Sequence, residues 1–190
     1  MSNAYRTNLI NKVIELSENK KWNSAVLEWE LIDCDEDEET MSSCICGKEE
    51  LRYLFTIKNS QNNNILSPIG SSCIKKFERD DLNEKTSIQE KLFKLLHAIE
   101  DGSYIKLSSE YFSRKLLKYL YEQNVFNSSE YNNYNPENDY YFLLEMFNKR
   151  NKNSITPKQQ RKINAIIITS IRPYLVKQLK GKIKQQKGKI

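Results

Sequence analysis

Five glycines in 190 residues leave no Gly-rich phosphate loop and no dinucleotide-binding fingerprint. A single histidine, His97, excludes multi-His metal sites and leaves most His-based acid–base chemistry without its base. No apolar run approaches the roughly 20 residues needed to cross a bilayer, so a membrane-spanning helix is excluded. The start, Met1-Ser2-Asn3-Ala4-Tyr5-Arg6, lacks the apolar stretch of a secretory signal, and a cytoplasmic location is expected. Acid is missing from one end. Residues 149–190 hold 13 Lys and Arg and no Asp or Glu, while residues 1–148 hold 17 basic and 25 acidic residues, a net of −8. The formal charge of +5 is therefore the difference between an acidic body and a basic arm.

What is present is enough for one ordinary domain or two small ones, at 22.5 kDa and 38% hydrophobic residues. Leu9, Ile10, Val13, Ile14 and Leu16 recur at helical spacing, predicting a helix over residues 7–19 with Thr7 as its cap. Leu27, Trp29 and Leu31 alternate with Glu28 and Glu30 as in a half-buried strand. Six acids in the seven positions from Asp33 to Glu39 read as an exposed loop without calcium-loop spacing. Leu51, Tyr53, Phe55 and Ile57 predict a second strand. Asn62-Asn63-Asn64 supplies a turn, and Ile65 to Ile69 a third strand that Pro68 confines to an edge. A short helix is expected from Cys73 to Phe77, capped by Ser71 or Ser72.

Beyond Asp80 the pattern is helical. Ile88, Leu92, Leu95, Leu96 and Ile99 form one stripe, with His97 on the opposite, solvent side. Further helices are expected over residues 108–124 and 140–150, separated by an Asn- and Ser-rich loop. A last helix opens with the capping box Thr156-Pro157-Lys158-Gln159 and is kinked by Pro173. These elements predict an α+β fold: a small antiparallel sheet of about three strands followed by a mostly α-helical region. The expected divisions are residues 1–80, 81–180 and a fraying basic tail over 181–190.

All four cysteines fall in the first 73 residues: Cys34, Cys44, Cys46 and Cys73. Without a secretory context a disulfide framework is disfavoured, and a zinc-ribbon-like site holding one structural Zn2+ is the stronger reading. Gly47 suits a turn at the Cys-x-Cys pair, and Cys73 falls at an expected helix start. Lys48, Lys75 and Lys76 would offset thiolate charge. Cys34 is the least determined of the four ligands: a strict alternation places it with Ile32, away from the Trp29 face. Ordinary packing as small buried thiols is the alternative for all four.

Residues Glu28-Trp29-Glu30-Leu31, Cys44-Ile45-Cys46-Gly47-Lys48, Tyr53, Ile57-Lys58-Asn59 and Ile69-Gly70-Ser71-Ser72-Cys73-Ile74-Lys75-Lys76-Phe77 together resemble a domain of small phage, prophage and other mobile-element proteins. Those share a Cys-x-Cys-Gly turn, an Ile-x-Asn strand end and a Gly-x-x-Cys helix start. Ser154-Ile155-Thr156-Pro157-Lys158-Gln159-Gln160 looks like a helix start often found downstream in them. Many carry a further Cys four residues before the strand-end Asn, where this chain has Phe55; Cys34 is the candidate replacement. Some small zinc-containing phage proteins are anti-CRISPR inhibitors. The resemblance implies a non-enzymatic protein of the host cytosol whose partner is a host nuclease, such as a type II CRISPR nuclease, or another host protein. The composition supports equally a nucleic-acid-binding accessory protein, in which Lys158, Arg161, Lys162, Arg172, Lys177, Lys180, Lys182 and Lys184 contact DNA or RNA phosphates. On that reading, truncation after Tyr174 weakens binding.

Overall fold

The computed structural model describes residues 3–102, 105 and 107–184. Its helices are α1 (Asn3–Glu15), α2 (Trp22–Ala25), α3 (Ser71–Ile74), α4 (Asp80–Glu100), α5 (Arg114–Glu122), α6 (Pro136–Asn148), α7 (Pro157–Ile166) and α8 (Arg172–Leu179). The strands are β1 (Trp29–Asp37), β2 (Tyr53–Asn59), β3 (Ile65–Ile69) and β4 (Ile183–Lys184), in the sheet order β3-β2-β1-β4. The first three are antiparallel, and β4 runs parallel to β1. The architecture is α+β: a small mixed sheet in the N-terminal half, then helices. Two compact units result, residues 1–89 with 182–190, and residues 90–181. The division falls within α4, and residues 182–184 belong to the first unit.

In the N-terminal unit Asp33 to Asp37 of the acidic run complete β1 and are not the expected loop; only Glu38 and Glu39 lie in a turn. Solvation of six acids favours a loop, but each inner carboxylate meets a specific donor. Glu36, fully buried, accepts from Arg52 Nε at 2.7 Å. Asp37 accepts from the hydroxyl and amide of Ser42 at 2.6 and 3.0 Å, and the hydroxyl in particular holds its carboxyl below the ordinary range. Lys182 pairs with Asp33, and Lys184 lies 4.0 Å from Asp35. The end of the basic arm is thus the charge partner of the acidic strand: Ile183 and Lys184 pair in register with Glu36 and Asp37. Residues 185–190 of the expected tail lie outside the described residues.

The register of β1 shifts at Ile32. An extra residue in one strand reverses the facing of everything beyond it. Cys34 therefore lies opposite Phe55 and on the same face as Leu31 and Ile57, not away from them as simple alternation predicts. Ile32, at the bulge, is half exposed. Leu27 is exposed too, because Val26–Glu28 is a 3-10 turn and the strand begins only at Trp29. Pro68 does lie on an edge strand. Asn63 takes positive φ in the β2–β3 turn. Helix α1 begins at Asn3, which places Thr7 inside it and not at its cap. Gly70, not a serine, occupies the N-cap of α3.

Glu28 is the polar keystone of this unit. Its carboxylate is 4% exposed and accepts from Asn59 Nδ2 (2.6 Å), Asn19 N and Nδ2 (both 2.7 Å) and Glu18 N (2.8 Å). Asn59 Oδ1 in turn accepts from Gln61 N at 2.8 Å, tying the β2–β3 turn to the start of β1. Trp29 donates its indole N–H to Ser17 Oγ at 2.9 Å.

In the helical unit the stripe Leu92, Leu95, Leu96 and Ile99 of α4 is buried. His97 is half-buried, not solvent-facing. Helix α5 starts later than the periodicity predicts, at the Ser113 cap, whose hydroxyl accepts from Leu116 N at 3.1 Å. Helix α6 starts earlier, since Asn135 caps it and Pro136 sits at its first turn, where a missing N–H costs nothing. The capping box at Thr156 and Gln159 forms in both directions, at 3.2 and 3.0 Å. Ahead of Pro173 the last helix widens into a π-helical segment, Ile167–Ile171. Proline cannot donate to the carbonyl four residues back, that of Thr169. Asn127 Nδ2 donates to that carbonyl instead, at 3.1 Å.

Candidate metal centre and basic groove

Three of the four cysteines come together: Cys44, Cys46 and Cys73. Their sulfurs all lie within 4.8 Å of one another, with 3.7 Å between Cys44 and Cys73 and 3.4 Å between Cys73 and Cys46. Exposure is 5, 1 and 2% respectively. The turn after β1 builds the site. Gly47 N donates to the Cys44 carbonyl at 2.7 Å, and Gly47 adopts φ of +92°. Cys44 N donates to Lys48 O at 2.7 Å, and Ile45 N to Pro68 O at 2.9 Å, which fastens the turn to the β3 edge. Gly70 N points at Cys44 Sγ from 3.4 Å, and the helix beginning there carries Cys73.

Electrostatics favour thiolate at one sulfur first. The hydrogen bond with Cys73 holds Cys44 far below the ordinary thiol range, down to about 5, against the opposing effect of burial. The amides of Cys46 and Gly70 add to this. The same hydrogen bond pushes Cys73 up. Sulfurs this close resist ionising together unless a cation sits among them. The group can chelate a metal ion. Cys34 is not part of it: its Sγ lies 3.6 Å from the Asp35 carbonyl within the sheet.

Gly47→Ala is expected to lower the stability of the N-terminal unit by about 1–2 kcal/mol, since a Cβ is strained at positive φ. Urea unfolding checks this. Gly70→Ala provides a contrasting steric case, because its Cβ would lie 2.9 Å from Leu51 Cδ2.

The basic residues divide in two. Lys162 Nζ lies 3.2 Å from Asp139 Oδ1, Lys180 Nζ lies 3.8 Å from Glu100, and Lys182 and Lys184 face β1. Among the described residues no carboxylate lies within ion-pair distance of Lys158, Arg161, Arg172 or Lys177, and all four are exposed. Lys158, Arg161 and Lys162 also line a groove of about 620 Å³ within the helical unit, with Tyr131, Ala165 and Thr169. No sequence pattern announced Tyr131 as a neighbour of these cations: it comes from the Asn- and Ser-rich segment, and the buried Asn132 anchors that segment by donating to Asn127 O (2.7 Å) and Asp139 Oδ2 (2.8 Å).

Comparison of the chain with protein-family models, curated proteins and solved structures finds no match in any of the three.

Proposed function

We propose that this chain is a non-enzymatic nucleic-acid-binding accessory protein whose N-terminal unit is stapled by one zinc ion. The observation that supports binding is the distribution of charge over the folded units. The helical unit holds 15 basic and nine acidic residues, a net of +6; residues 1–89 with 182–184 hold 13 and 16, a net of −3. The larger uncompensated charge is thus basic, and it lies on the helical unit. Zinc is favoured by the donors. Thiolates suit it, and the edge of a tetrahedron with metal–sulfur bonds of about 2.3 Å is about 3.8 Å, close to the observed sulfur spacings. Three cysteines leave one position of a tetrahedral site for another donor. The non-enzymatic reading rests on the burial of all three sulfurs.

Labelled oligonucleotides are expected to bind with log K falling linearly against log salt. Lys158→Glu with Arg161→Glu is expected to weaken binding at least tenfold and to reduce the slope for single strands by about 1.4. Fluorescence anisotropy from 20 to 200 mM salt measures both. Absence of any complex at the lowest salt sinks the reading. Charge reversal is a cleaner test than truncation after Tyr174, which would remove the core residues Leu175 and Leu179.

A second reading, inhibition of a host nucleic-acid defence nuclease, is favoured by Glu38, Glu39, Glu49 and Glu50. All four are exposed, on the segments that the Ser42–Leu51 bridge joins. An acidic rim of this kind can compete with nucleic acid for a cationic channel. Co-purification with a type II CRISPR nuclease and loss of its cleavage activity are the expected results; unimpaired cleavage at saturating protein opposes it.

A further inference from the structure

We propose that the groove beside α7 takes one unpaired nucleotide of a single-stranded nucleic acid, its base on Tyr131 and its phosphates on Lys158 and Arg161. This deepens, and rests on, the nucleic-acid reading above. The groove's volume of about 620 Å³ falls within the range of small-ligand sites, and its surface is mostly apolar with cations along one side. A nucleotide has that division: a flat ring of low charge joined to an anion.

Tyr131 is 81% exposed, more than any other large apolar or aromatic side chain of the described core and surface. Its ring is solvent-facing, yet its backbone is fixed. Lys162 Nζ donates to the Tyr131 carbonyl at 3.2 Å, and the adjoining Asn132 is buried and hydrogen-bonded. An aromatic ring held out on an anchored backbone is a stacking platform, and base–aromatic stacking is tolerant of sequence. Ala165 leaves space above the buried Ile166 floor. Lys162 is committed to Asp139 and to the face of Phe142, at 4.8 Å. Lys158 and Arg161 remain, three residues apart and so on one face of α7. The π-helical widening at Ile167–Ile171 brings Thr169 and Ser170 to the far wall, the former held through its carbonyl by Asn127. A paired base in a duplex is stacked on both sides and cannot enter such a groove without being flipped, so the site selects unpaired strands.

The test uses the full chain and fluorescein-labelled 12-mers, single-stranded thymidine or uridine homopolymers against a mixed-sequence duplex, by anisotropy at fixed salt. Tyr131→Ala is expected to weaken single-strand binding about tenfold while leaving the duplex within twofold. Ala165→Trp, which fills the groove and keeps every charge, is expected to do the same; both positions are exposed, and an unchanged melting curve establishes that both variants fold. Polyglutamate of matched charge is expected to compete poorly. Single-strand binding unaffected by either variant, or equal displacement by polyglutamate, overturns the groove as a nucleotide site. Duplex and single strand bound alike, with Lys158→Glu and Arg161→Glu still weakening both, overturns the groove but leaves the nucleic-acid reading standing. No binding to either strand form overturns both.

Discussion

Cys46→Ala is expected to release the metal and abolish the cooperative melting of the N-terminal unit, while Cys34→Ala retains one zinc per chain. The contrast follows from geometry. Cys46 Sγ lies 3.4 Å from Cys73 Sγ, within a group that also contains Cys44; Cys34 packs in the sheet opposite Phe55. Structural zinc contributes about 10–16 kcal/mol of apparent binding energy in small metal-dependent domains, as much as the whole stability of a typical domain. Besides the bond from Cys44 N to the adjoining Lys48, the main chain of the turn at Cys44–Gly47 is anchored by Ile45 N to Pro68 O and by Asn8 Nδ2 to the Cys46 carbonyl at 3.1 Å. Hydrogen bonds of that kind contribute about 1 kcal/mol each, little beside a structural zinc. Cys34→Ala removes one sulfur from a packed face, which costs about 1–2 kcal/mol. Elemental analysis beside a thermal melt separates the cases. Equal metal content and equal melting for the Cys46 variant and the unaltered protein would mean that the thiols only pack. Loss of metal from the Cys34 variant would place that residue in the coordination sphere.

Much of the fold was legible because its signals were local. The stripe from Ile88 to Ile99, the capping box at Thr156 and the alternation through Phe55 and Ile57 each specify an element from neighbouring residues alone. The cysteine group was legible in three of its four expected members because a Cys-x-Cys-Gly turn and a Gly-x-x-Cys helix start carry backbone consequences. What escaped depends on long-range pairing. The bulge at Ile32, which turns Cys34 toward Phe55, has no sequence mark. Most of the acidic run becomes a strand because Arg52, Ser42, Lys182 and Lys184 meet it, and two of those lie almost 150 residues away along the chain. Helix α6 starts early because a cap at Asn135 outweighs the loop-like composition of its surroundings. Likewise, Tyr131 reaches the cations of α7 only through a tertiary turn.

Glu28→Ala is expected to cost about 3 kcal/mol or more, because four donors lose their common acceptor inside the N-terminal unit. The carboxylate's own titration provides an independent measure. Burial by itself would raise its pKa, but hydrogen bonds from Asn59, Asn19 and Glu18 prevail and hold it at about 2, against an ordinary 4.5. The folded protein therefore binds this proton less readily than the unfolded chain. Its contribution is complete above about pH 4.5 and is lost as the pH falls from there toward 2. The difference between the two values corresponds to about 3 kcal/mol. Other carboxylates, Asp37 among them, are also held low, and acid strips metal from thiolates, so the informative quantity is the difference between the unaltered protein and Glu28→Gln. Glutamine keeps the shape and one acceptor but cannot titrate. At pH 7 the variant is expected to be less stable by urea unfolding, and the gap should narrow steadily as the pH is lowered below 4.5. A gap that stays constant down to pH 3 would show that the carboxylate charge contributes nothing, leaving the four hydrogen bonds as neutral packing around Asn59.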